Sequence, residues 1–77
     1  MIVTDRIVVN PDIMLGKPVI KGTRITVQLI LNKLAEGMSF NDILNAYPNL
    51  ISEDIQAALL YASQLIANEE VIFPKAS

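Results

Sequence analysis

At Thr26 the chain changes period. Before it, apolar residues arrive in short β-branched runs; after it, Val27, Ile30, Leu31, Leu34 and Met38 recur at i, i+3, i+4, i+7 and i+11. That spacing stacks side chains on one face of an α-helix and fits no strand. Thr26 offers a hydroxyl to the first free amides of the helix, and Gly37 offers a left-handed stop at its end. A helical body beginning at this residue is the firmest constraint on the fold.

Two further helices follow from the same logic. Ser39 opens a short one, with Asp42 three positions on to favour the first turn, Phe40, Ile43, Leu44 and Tyr47 as apolar contacts, and Pro48 as terminator. Ser52 caps a third, where Glu53 and Asp54 complement the positive helix end and Ile55, Leu59, Ala62 and Ile66 are the predicted inward stripe. The connection YPNLI, residues 47–51, is longer than the three to four residues of a strict helix-turn-helix turn.

Upstream, RIVVN at 6–10 reads as a strand stopped by Asn10-Pro11, and PVI at 18–20 as a second. PDIMLG between them reads as a turn or a single helical turn, and Gly22 is free to take positive φ after the second strand. The predicted fold class is therefore mainly α, a three-helix bundle of the helix-turn-helix kind preceded by a short N-terminal β unit. One domain spans residues 1–77: β unit and turns at 1–25, trihelical bundle at 26–69 and an apolar tail at 70–77.

With 77 residues the chain is near the size where one core only just suffices, which is a reason to expect association. It has no cysteine and no histidine, which removes disulfides, thiolate metal sites, Cys or His nucleophiles and imidazole acid–base chemistry. No apolar run approaches the roughly 20 residues of a membrane span, and Asp5 stands where a signal peptide would be apolar. The expected compartment is the cytoplasm.

Charge is split along the chain. Residues 1–33 carry five cations against Asp5 and Asp12, a net +3, whereas residues 34–77 carry Lys75 against six carboxylates, a net −5. The overall −2 argues against strong nonspecific binding to nucleic acid.

Catalytic patterns do not emerge. Gly16-Lys17 is followed by Pro18 and lacks the remainder of a phosphate loop. Glu53 and Asp54 are adjacent on a helix and diverge, and Ser39 and Ser52 have no base to activate them. On the third helix the polar residues Glu53, Gln56, Ser63, Gln64 and Asn68 form either a solvated face or a DNA-reading one. No Lys or Arg lies between Lys33 and Lys75 to neutralise phosphates there. Ala57, Leu60, Tyr61 and Ala67 lie off the predicted inward stripe, which leads to the expectation of a homodimer or a stable hetero-complex.

The blocks Gly16-Lys17-Pro18-Val19-Ile20, Gly22-Thr23-Arg24-Ile25, Gly37, Tyr47-Pro48 and Ser52, with Asp54-Ile55 ahead of Ala57-Ala58, carry a resemblance. In order and spacing, from about Ile7 to about Ala62, the chain resembles a small bacterial and archaeal family catalogued as domain of unknown function 433 and also described as antitoxin-like. Leu15 departs from it, since many members have a small residue before this glycine. The resemblance implies a homeodomain-like trihelical fold with an N-terminal β unit. It also implies an antitoxin of a type II toxin–antitoxin pair that binds and inhibits a PIN-like RNase toxin, with operator DNA as a further partner. The alternative function is a helix-turn-helix transcriptional regulator. Neither reading calls for an enzyme, a cofactor or a metal.

The candidate partner- or DNA-binding residues are Arg6, Lys17, Lys21, Gly22, Thr23, Arg24 and Gln56. Gly22 permits a tight turn that packs Val19 or Ile20 together with Ile25 on the helices and holds Lys17, Lys21 and Arg24 outward. A guanidinium at Arg24 can grip a carboxylate or a phosphate, and PIN-type sites cluster acidic residues around a metal, so by analogy a cation delivered there inhibits. The competing reading pairs Arg24 within the domain, with Asp5, Asp12 or Glu36.

Overall fold

The computed structural model describes residues 5–68. Their order is β1 (Ile7–Val8), a 3-10 turn (Met14–Gly16), β2 (Val19–Ile20), α1 (Val27–Ala35), α2 (Phe40–Ala46) and α3 (Ser52–Asn68). The structure is mainly helical, with three helices and a short two-stranded antiparallel sheet in front of them. The predicted tail at 70–77 lies outside the described residues.

The helix ends are built by the residues the sequence marks. Thr26 caps α1 by accepting from the Leu29 amide at 3.0 Å. At the other end, Gly37 at φ +99° donates to the Leu34 carbonyl and Met38 donates to that of Lys33, the paired bonds of a Schellman stop. Ser39 and Asp42 form a reciprocal capping box: each accepts, through its side chain, from the other's backbone N–H at 3.0 Å. Pro48 follows the last turn of α2, and Leu50, buried, pins the connection to the core.

In β1 and β2, Ile7 faces Ile20 and Val8 faces Val19 across the ladder. Successive strand side chains alternate between faces. Ile7 and Ile20 therefore turn to the helices, where Ile20 joins Val27, Ile30, Ile43, Leu50, Ile55 and Ala58 in the core. Val8 and Val19 take the opposite face. A single bridge from Val19 to Thr26 makes β2 the middle of the unit and leads directly into α1.

Three details differ from the sequence expectation, while the turn expected at PDIMLG is present. The first strand is shorter than residues 6–10, because only Ile7 and Val8 keep a partner in β2. The 3-10 turn holds Met14 at φ +49° and Leu15 at φ +59°, a left-handed conformation in which Leu15 is 93% exposed. Ser52 is the first helical residue of α3 and not its cap: its hydroxyl lies 3.4 Å from Glu53 Oε1, while the Asp54 carboxylate takes the amide of Ile51 at 3.0 Å. Finally, the inward face of α3 runs through Asp54, Ile55, Ala57 and Ala58, with Leu59 at 41% and Ile66 at 66% exposure. Ala58 shares the core cluster with Val27 and Ile30 of α1, and the 17 residues of α3 outrun the 9 of α1, so its last turns project past the core.

Candidate partner-binding turn

The loop between β2 and Ile25 is held by its own hydrogen bonds. Ile20 donates to the Ile25 carbonyl at 2.9 Å, and the Thr23 amide and hydroxyl both donate to the Ile20 carbonyl, at 3.0 and 2.8 Å. Thr23 Oγ1 also accepts from the Ile25 amide at 2.9 Å. Thr23 is thus committed to the turn. Gly22 sits at φ +80° with open space where a Cβ would stand, so its role is conformational. The Lys21 amide donates to the Arg6 carbonyl at 2.8 Å, tying the loop to β1, and the Val27 amide donates to that of Pro18.

This frame separates the cations. Arg24 is exposed and borders a shallow cleft of about 340 Å³ whose other walls are Val8, Ile13, Val19, Gly22 and Thr23. Among the described residues Arg24 makes no ion pair: Glu36 is taken by Lys33 at 3.7 Å, and neither Asp5 nor Asp12 reaches the guanidinium. Lys21 instead borders a second, more polar cleft of about 370 Å³ shared with Asp5, Arg6 and Asp54. Lys17 is exposed and lines neither cleft. Gln56 is exposed on α3 and likewise belongs to neither.

Arg6 is half-buried and engages a buried carboxylate. Its Nη1 donates to Asp54 Oδ1 at 3.1 Å, and Asp54 is 5% exposed with its second oxygen engaged by the Ile51 amide. Sequence reading treats Asp54 only as a helix-end acid, because nothing local announces a partner 48 positions away. The one available signal was a lone cation beside β1 in a chain whose acids lie mostly in the second half.

With the geometry in place, comparison with known proteins identifies the relatives. The sequence profile of the family described as "Protein of unknown function (DUF433)" matches residues 7–62. The chain belongs to the DUF433 family. It is also similar to the uncharacterized protein y4eO of Sinorhizobium fredii, 42% identical over 53 residues, which cover 69% of this chain and 24% of that protein. The chain thus spans about a quarter of the length of that relative. Among solved structures it is similar to a DUF433 member from Anabaena variabilis, with a TM-score of 0.75 and 32% identity over 78% of this chain and 59% of the other. The DUF433 match begins at β1 and ends within α3, so it encloses the Arg24 turn, Asp54 and the whole described core, and starts one residue after Arg6.

Proposed function

We propose that this DUF433 protein is a binding module, an antitoxin of a type II toxin–antitoxin pair that engages a PIN-like RNase toxin through the Arg24 turn. The observation that carries the reading is Arg24 itself. An exposed guanidinium without an ion pair among the described residues, on a loop fixed by four hydrogen bonds and beside an apolar cleft, is preorganised to meet a carboxylate on another protein. Apolar walls next to a charged fork are the pairing that protein interfaces favour, with Arg among their enriched residues. A binding role needs no nucleophile, base or metal from the chain, in keeping with the lack of histidine and cysteine.

The alternative, a transcriptional regulator, draws on the trihelical order and on the exposed Gln56, whose amide can pair with adenine. It has weaker physical support, because α3 carries no cation and its outward surface presents Leu59, Leu60 and Ile66.

The experiment is a gentle affinity purification of the tagged chain from its native host with nuclease added, beside the Arg24→Ala variant. A small nuclease-like protein in fixed ratio with the wild type, lost or greatly reduced with Arg24→Ala, supports the antitoxin reading. A protein-free eluate, with DNA recovered only when nuclease is omitted, replaces it with the regulator.

A further inference from the structure

The turn that carries Arg24 engages all but two of its backbone donors. The amides of Ile20, Lys21, Thr23 and Ile25 donate to the Ile25, Arg6 and Ile20 carbonyls and to Thr23 Oγ1, respectively. Those of Gly22 and Arg24 engage no acceptor among the described residues. Both residues line the cleft of about 340 Å³. Its floor is Val19, 1% exposed, and its apolar walls are the half-buried Val8 and Ile13. Among the described residues no carboxylate lines it, and the Arg24 guanidinium is its one charge.

We propose that this cleft captures the C-terminal residue of a partner protein. That residue is aliphatic, its side chain lies on Val8, Ile13 and Val19, and its α-carboxylate meets the Arg24 guanidinium and the open amides of the turn. The proposal rests on the Arg24 turn being a partner-binding surface, and it names the part of the partner that is held.

Size, adjacency and charge select this occupant. A volume of about 340 Å³ is at the small end of the roughly 300–1,000 Å³ of ligand cavities, which suits a single residue. In a chain-terminal Val, Leu or Ile the carboxylate and the aliphatic group hang on the same Cα. An internal Asp or Glu instead leaves the apolar group to a neighbouring residue, whose side chain in an extended segment points to the other face. The carboxylate complements the guanidinium, and its two oxygens have lone pairs enough for the amides as well, the pairing by which backbone donors capture chain ends. A phosphodiester has no aliphatic part for Val8, Ile13 and Val19, and a single cation holds it weakly.

The test uses the full chain and synthetic peptides. Random peptides displayed with free C-termini are selected on the immobilised wild type, and the enriched sequences are synthesised with a free or an amidated C-terminus. Val, Leu or Ile is expected at the last position. Amidation removes the charge at nearly constant shape and is expected to weaken binding about tenfold or more, the worth of a hydrogen bond to a charged group. Arg24→Ala should lose as much, whereas Lys17→Ala, an exposed cation outside the cleft, should lose nothing. If Arg24→Ala fails to fold, the amidated peptides on the wild type decide alone. No enriched consensus, a consensus of internal acids without a preference at the last position, or equal binding of free and amidated forms overturns the proposal. The antitoxin reading fails separately, by a protein-free eluate in the affinity purification. A nuclease-like partner held through Arg24 that binds equally well after its last residues are removed leaves that reading standing and overturns C-terminal capture.

Discussion

Arg6 Nη1 lies 3.1 Å from Asp54 Oδ1, joining residues 48 positions apart. The same carboxylate accepts the Ile51 amide through its other oxygen. One side chain thereby closes two structural tasks: it holds the β unit against α3, and it satisfies the residue before α3, which as isoleucine has no side-chain oxygen with which to cap. The arrangement has half of a capping box and a long-range ion pair in place of the other half.

Removing that carboxylate therefore costs both contacts. Asp54→Ala is expected to destabilise the fold by about 1–3 kcal/mol, the range for hydrogen bonds to a charged group lost from a buried site. Urea denaturation followed by circular dichroism measures it. A loss indistinguishable from that of Glu53→Ala, an exposed neighbour, would show that Asp54 acts only as a helix-end charge.

Leu15 stands at φ +59° and is 93% exposed, so its side chain gives little burial in return for a conformation that L-residues avoid. Leu15→Gly is expected to stabilise the protein by about 0.5–1 kcal/mol, the left-handed penalty less the added freedom of glycine in the unfolded chain. The readout is a higher midpoint in thermal or urea unfolding; a lower midpoint would mean that Leu15 makes a contact that offsets its strain.

Gly22 presents the complementary case. No atom stands within 4 Å of a Cβ placed there, so Gly22→Ala meets no clash and suffers only the left-handed backbone, about 1–2 kcal/mol. Gly22→Asn should recover much of that loss, because asparagine visits this conformation more readily. Equal losses for the two variants, measured by denaturation, would point to a side-chain clash instead of conformation.

The capping box makes stability sensitive to acid. The backbone hydrogen bond from Ser39, and then its hydroxyl, hold the Asp42 carboxyl below its ordinary pKa. A depressed folded-state value contributes stability that is complete above the ordinary carboxylate range and is lost as pH falls through the depressed value. NMR titration of Asp42 should show its pKa rising part of the way toward the ordinary value in Ser39→Ala, which loses the hydroxyl but keeps the backbone N–H, and further in Ser39→Pro, which has no N–H to donate. An Asp42 titration unmoved in both variants would remove the capping box as its cause.

The boundaries of α1 and α2 were legible in the sequence because their determinants are local. Thr26, Gly37, Ser39, Asp42 and Pro48 act on backbone groups within a few residues of themselves, so composition and spacing suffice. The same holds for Gly22 and the turn that carries Arg24. Family membership was legible in the order of the glycine-rich blocks.

Two features were decided only by the tertiary structure. Arg6 reads as an outward cation until folding brings it to Asp54, since a contact across 48 positions leaves no trace in local spacing. Of the predicted stripe Ile55, Leu59, Ala62 and Ile66, Ile55 is fully buried and Ala62 half-buried, yet Leu59 and Ile66 are left outside and Ala57 and Ala58 are buried instead. Periodicity states that a helix has an apolar face; which part of it is buried depends on where the neighbouring helices lie and how soon they end, and α1 has 9 residues against the 17 of α3.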